Sequence, residues 1–178
     1  MKYKTIYIDP PWKQQMTGKY SIRHARAKNL KYPTMSLKEL EELPIKDLFD
    51  VGCHIWLWTT NQYLRQGFDL LDKWGFKYLC PIHWKKPSGI GNYFIHVTQT
   101  MLFGYYQRCV FPIGRYFPNF IETKKPPMEH SRKPVEVYEY IEKISEEPRI
   151  EMFARAFSPL FPKRDGWDTW GDESSERR

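Results

Sequence analysis

A chain of 178 residues suits one domain with a full core, and residues 1–178 are expected to form a single domain. The 28 Lys and Arg outweigh the 21 Asp and Glu, giving a net charge of +7, which points to a polyanionic partner such as nucleic acid. An aromatic content of 17% argues against a disordered chain, and no apolar run approaches membrane-spanning length.

Met1-Lys2-Tyr3-Lys4 runs directly into the apolar strand Thr5-Ile6-Tyr7-Ile8, so no signal peptide is expected. That strand ends in Asp9-Pro10-Pro11-Trp12. Two consecutive prolines fix φ near about −65° twice and remove two backbone donors, so neither a strand nor a helix continues here. What remains is a rigid acceptor corner made of the Asp9 carboxylate and the Asp9 and Pro10 carbonyls, with an indole beside it. Such a corner suits a planar amine, whose two N–H groups need acceptors and whose ring needs a stacking face. The plainer alternative is a Pro-rich turn around a core Trp.

The stretch from Lys13 to Lys31 is polar and basic, with Arg23, His24, Arg26, Lys28 and Lys31, and reads as a long functional loop. Ser36-Leu37-Lys38-Glu39 has capping-box spacing and starts a helix near residues 36–43. Cys53 to Thr60 is nearly continuously apolar, as in a strand buried on both faces. From Asn61 to Trp74, apolar residues at 64, 68, 71 and 74 predict a helix that ends at Gly75. A strand over Lys77 to Trp84, a loop from Lys85 to Gly91 and a strand over Thr98 to Tyr106 follow.

Arg108 to Met128 is irregular, basic and Pro-rich, a second candidate binding loop. Pro134 suits the first position of a helix reaching about Ser145, with Val135, Tyr138 and Ile141 on one face. Arg149 to Arg155 and Gly166 to Gly171 read as the last strands, and the terminus frays. Strands alternating with helices predict an α/β fold with a largely parallel sheet. Ligands of such sheets bind beyond the carboxyl ends of strands, which is where Asp9 lies.

Several chemistries lack their usual parts. There is no GxGxxG fingerprint, no P-loop and no Gly-x-Ser-x-Gly elbow. No His and Cys cluster has metal spacing, so no metal is expected. His83, His96 and His130 are isolated, and Cys53, Cys80 and Cys109 lack CxxC spacing and read as reduced thiols of a cytoplasmic protein. A C-terminal group stands out: Glu151, Phe153, Arg155 and Ser158 after one strand, and Gly171, Asp172 and Glu173 after another. Upstream, Ser131-Arg132-Lys133-Pro134 sets a cation at a helix N-terminus. An acceptor pair, a cation and a Phe wall suit an adenosine with an amino-acid tail, although each residue alone reads more readily as a solvated charge.

In chain order, Asp9-Pro10-Pro11-Trp12, Tyr32-Pro33-Thr34-Met35-Ser36, Trp58-Thr59-Thr60-Asn61, Trp74-Gly75-Phe76, Trp84-Lys85-Lys86, His130-Ser131-Arg132-Lys133-Pro134, Glu151-Met152-Phe153-Ala154-Arg155 and Gly166-Trp167-Asp168-Thr169-Trp170-Gly171 resemble the MTA-seventy family. These are the adenine-N6 methyltransferases named for the seventy-kilodalton subunit of the mRNA adenosine enzyme. The likeness is to the small bacterial and phage members and spans nearly the whole chain. It implies a Rossmann-like, permuted methyltransferase fold in which the catalytic motif precedes the cofactor-binding strand. It also implies S-adenosylmethionine as methyl donor and the exocyclic amine of adenine as acceptor, in the cytoplasm of a bacterium or a phage-infected cell.

By that resemblance Asp9 and the Pro10 carbonyl accept hydrogen bonds from the amine, and Pro11 and Trp12 shape the base pocket. Asp9 and Lys133 hold the cofactor tail, with Phe153, Arg155, Ser158, Asp172 and Glu173 around its adenosine. Tyr32 belongs to the loop over the base; Arg23, Lys28, Lys31, Lys86 and Arg115 are candidates for phosphate contact. The chain departs from the family at Asp172, where Asn is frequent, at Thr98-Gln99, where a His-Glu pair is common, and at Ser158, where some members carry Asn. DNA is the favoured polymer and RNA the alternative. A protein-amide methyltransferase is disfavoured by Asp9 and Trp12, and a catalytically silent subunit by the intact motif. A homodimer or a related partner subunit is a further expectation.

Overall fold

The computed structural model describes residues 2–13, 33–90, 93–112, 114–124, 132–155 and 162–171. Seven strands form one sheet: β1 (Tyr3–Ile8), β2 (Phe49–Thr59), β3 (Lys77–Ile90), β4 (His96–Tyr105), β5 (Phe120–Glu122), β6 (Arg149–Met152) and β7 (Trp167–Trp170). Their order is β5-β3-β4-β2-β1-β6-β7. β1 runs parallel to β2 and β6, and β6 parallel to β7. β4 is antiparallel to both β2 and β3, and β5 is parallel to β3. The sheet is thus mostly parallel, as an α/β chain of the Rossmann-like class requires.

Each face of the sheet carries its own core. Ile6 and Ile8 of β1 and Cys53, Ile55 and Leu57 of β2 pack with Leu40 of α1 (Leu37–Glu41) and Leu70, Leu71 and Trp74 of α2 (Leu64–Trp74). Tyr7, Trp56 and Trp58 point the other way, toward Val137, Ile141 and Ile144 of α3 (Val135–Ile144). Successive side chains of a strand alternate between faces, so a strand covered on both sides needs apolar residues at every position. That is the reason for the unbroken apolar run in β2.

Local signals set the helix ends. The Ser36 hydroxyl accepts from the Glu39 N–H, and the Glu39 carboxylate accepts from the Ser36 N–H, closing the capping box. Gly75 ends α2 with φ of 86°, a left-handed position that glycine adopts without steric cost. Gly67 lets α2 settle onto the sheet: a Cβ there would sit 2.4 Å from Thr59 Cγ2.

Four sequence expectations need correction. Lys85 to Ile90 is not a loop but the continuation of β3, paired to β4 through Lys85↔Thr98 and Ile90↔His96; backbone pairing in a solvated ribbon leaves no apolar alternation to read. The segment 108–128 contains the short strand β5, held by β3. Asn61–Tyr63 is a 3-10 turn ahead of α2. Pro134 is extended, with ψ of 155°, and precedes the helix instead of opening it; Val135 is therefore exposed and Val137 takes the core position.

Candidate active site

β1, β2 and β6 all end at one edge of the sheet, and the chain leaves β1 there as Asp9-Pro10-Pro11-Trp12. Asp9 is half-buried and Pro10 buried. The Trp12 N–H donates to the Pro10 carbonyl at 2.8 Å, and the Met35 N–H donates to the Pro11 carbonyl at 3.0 Å. The corner is therefore pinned by its own backbone. A carbonyl has two lone pairs, and the Trp12 N–H takes one of those of Pro10.

Trp12 departs from the expected open stacking face. Its ring is 5% exposed, stacks on Tyr63 with centroids 4.9 Å apart and planes 12° from parallel, and donates its indole N–H to the Trp58 carbonyl at 3.1 Å. Tyr63 in turn donates its hydroxyl to the Lys13 carbonyl. Trp12 is a buttress that fixes the corner's angle, and sequence reading missed Tyr63 as its clamp. The one signal for Tyr63 was its place just past Trp58-Thr59-Thr60-Asn61 at the end of β2.

Lys133 comes to this corner from the segment before α3. Its ammonium pairs with Asp9 Oδ2 at 2.5 Å and lies 4.9 Å from the centroid of the Trp58 ring. Lys133 is 9% and Asp9 35% exposed in the side chain, so the carboxylate is the more accessible of the two. Lys86 of β3 lies in the same field: burial first, then the Lys133 charge, pull its ammonium below the usual lysine range.

A buried polar floor lies under the pair. Trp58 Nε1 donates to the Tyr7 hydroxyl at 2.8 Å, and the Tyr7 and Tyr138 rings meet edge to face at 5.3 Å. The Tyr138 hydroxyl donates to Glu151 Oε1 at 2.9 Å, and Glu151 is the strand partner of Tyr7. Burial pushes the Glu151 carboxyl up to about 7, with the Asp9 charge adding to it and the Tyr138 hydrogen bond, Arg132 and Lys133 opposing it. The Tyr7 and Tyr138 hydroxyls are held well above the usual range, chiefly by burial.

Phe153 and Arg155 follow β6 at the same edge. Phe153 adopts φ of 62°, uncommon for a side chain with a Cβ, and packs edge to face on Trp170 at 5.4 Å. Gly171 comes so close that a Cβ would lie 2.9 Å from Phe153 Cα. Ser158, Asp172, Glu173, Arg23, Lys28, Lys31 and Tyr32 lie outside the described residues. Arg115 is exposed on the β4–β5 connection, whose Phe111 packs near His54 at the middle of β2. A cleft of about 440 Å³ lies at the opposite edge, between Pro148 and Trp167, where Arg149 and Arg164 are already paired with Glu147 and Glu142.

The half-buried carboxylate and the adjoining ammonium are the charge complement of an α-amino acid, whose ammonium and carboxylate would each find an opposite partner. The donor set thus fits the tail of S-adenosylmethionine. No helix among the described residues is long and apolar enough to cross a membrane.

Comparison with known proteins matches residues 3–173 to the family described as MT-A70. The type II methyltransferase M.MunI of a Mycoplasma species is 28% identical, over 99% of this chain and 80% of that protein. A putative N(6)-adenosine-methyltransferase MT-A70-like protein of Medicago truncatula is 28% identical, over 98% of this chain but 27% of its own length. Human N(6)-adenine-specific methyltransferase METTL4 is 24% identical, over 96% of this chain and 37% of that protein.

Proposed function

The chain belongs to the MT-A70 family, and on that premise we propose that it transfers a methyl group from S-adenosylmethionine to the exocyclic N6 amine of adenine in DNA. The observation that carries the reading is the Asp9 carboxylate at the carboxyl end of β1, half-exposed and backed by the Lys133 ammonium. Adenine as the base is supported by the corner's acceptors for an amine together with METTL4, a relative named as adenine-specific. The choice of DNA is supported by a type II methyltransferase among the relatives, matched along most of both chains.

The amine of adenine is a poor nucleophile, since its lone pair is delocalised into the ring. Asp9 and the Pro10 carbonyl accept its two N–H groups, localising that lone pair and stabilising the positive charge that develops on nitrogen. Asp9 is the first acceptor of the proton that the methylated nitrogen sheds. Trp12, clamped by Tyr63, fixes the corner so that these acceptors need no rearrangement during reaction. When bound, S-adenosylmethionine supplies an electrophilic methyl group.

Lys133 holds the carboxylate of the cofactor tail and Asp9 its ammonium; Phe153 and Arg155 flank the adenosine, with Ser158, Asp172 and Glu173 completing the ribose and base contacts. In a duplex the target amine is stacked and paired, so the base is flipped out or single-stranded. Tyr32 covers it, and Arg23, Lys28, Lys31, Lys86 and Arg115 hold phosphates. The test is Asp9→Ala: methyl transfer is abolished while affinity for an oligonucleotide stays within about threefold. Substantial residual turnover would remove Asp9 from the mechanism.

A further inference from the structure

β3 and β4 outrun the sheet at the edge where Asp9 lies. β2 stops at Thr59, opposite Thr100 of β4, and Thr100 faces His83 of β3. Residues 96–99 and 84–90 therefore extend past β2, flanked by β5 as far as Lys85 and as a two-stranded ribbon beyond it. At about 3.4 Å per residue the β4 side alone projects roughly 13 Å. Gly89 lets the two backbones close: a Cβ there would lie 2.5 Å from the His96 carbonyl oxygen.

At the head of this ribbon Tyr93 is 96%, Phe94 79% and Ile95 60% exposed. Such a cluster of bare apolar side chains marks an interaction surface. Its charge favours a polyanion: no Asp or Glu occurs between Lys73 and Ile121, so the ribbon carries no acid, while Lys85 and Lys86 lie on it. Lys85 reaches out of the segment to pair with Glu122; Lys86 lies on the ribbon, in the field of Lys133.

The ribbon is also tied to the catalytic corner. Asn61 and His96 share a hydrogen bond at 2.8 Å, and Asn61 opens the turn whose Tyr63 stacks on Trp12. One turn thus joins the ribbon to the corner that carries Asp9. Flat aromatic side chains stack on any base, and a neighbouring cation serves the phosphates.

We infer that the β3–β4 ribbon is a nucleic-acid-docking arm that stacks Tyr93 and Phe94 on bases flanking the target adenine. The inference rests on the functional reading above and adds a second contact zone to it. The test uses the full chain, fluorescein-labelled single-stranded and duplex DNA, and anisotropy at one fixed salt concentration, with sedimentation in parallel. Replacing both rings (Tyr93→Ala with Phe94→Ala) weakens single-strand binding about tenfold or more, with S-adenosylmethionine affinity and thermal midpoint unchanged. Tyr93→Leu with Phe94→Leu, apolar but not flat, loses as much; Tyr93→Phe with Phe94→Trp restores binding.

Affinity within twofold of the parent for the alanine pair would overturn the inference alone. So would a parent dimer that the alanine pair converts to monomer, which would assign the ring surface to a second copy of the chain. A parent that binds neither oligonucleotide would overturn the functional reading as well.

Discussion

Glu151 gives the account a thermodynamic handle. Its carboxylate accepts the Tyr138 hydroxyl beside its strand partner Tyr7, and burial raises it from 4.5 to about 7. Below about pH 4.5 the folded and unfolded chains both keep this proton, and the group contributes nothing to the pH dependence. Between 4.5 and about 7 the unfolded chain releases the proton while the folded chain retains it, so stability falls as pH rises. Above about 7 both are ionised and the penalty is complete. At ~1.36 kcal/mol per pH unit, that gap amounts to about 3 kcal/mol. Glu151→Gln keeps an oxygen for Tyr138 and removes the titration. In urea unfolding at steps from pH 4.5 to 8, the variant should gain on the parent steadily and lead by about 3 kcal/mol more at pH 8 than at pH 4.5. A difference that stays constant across this range would refute a buried, proton-retaining Glu151.

Other changes probe the corner and its support. Lys133→Ala removes a charge-assisted contact worth about 1.5–3 kcal/mol, so calorimetry should find the S-adenosylmethionine Kd raised roughly 10- to 100-fold, with DNA affinity changed far less; an unchanged cofactor Kd would refute the assignment. Gly67→Ala places a Cβ 2.4 Å from Thr59 Cγ2 and 3.1 Å from Leu102 Cδ1. Overpacking of about 1–3 kcal/mol outweighs the gain of about 1 kcal/mol in helix propensity, so the thermal midpoint should drop. An equal or higher midpoint would show that α2 is not seated so closely.

Most of the sheet was legible because its signals are local. The Ser36 and Glu39 capping box, Gly75 and the apolar run of β2 each depend on neighbours within a few residues, and each stands where it was expected. The ribbon formed by Lys85 to Ile90 was hidden because its partner is a distant strand and its side chains are solvated, so cross-strand backbone bonds carry no sequence period. The same limit applied to the site. Asp9 was readable from two prolines after a strand, and Lys133 from its place before a helix. Their contact, made across 124 positions of sequence, was not. Trp12 shows the cost of reading a side chain without its neighbours: an indole that looked free to stack is spent on Tyr63 and the Trp58 carbonyl. Glu151 could be placed at a strand end, but its raised proton affinity comes chiefly from burial, against the opposing Tyr138 hydrogen bond, and only the fold assembles that burial.

The most direct test of the central claim is transfer of labelled methyl from S-adenosylmethionine to matched DNA and RNA oligonucleotides, followed by nucleoside analysis. The account predicts label in N6-methyladenine of the DNA, and none with Asp9→Ala. Label on another base or another atom of adenine, or no label in DNA under conditions where the chain binds both cofactor and oligonucleotide, would contradict it.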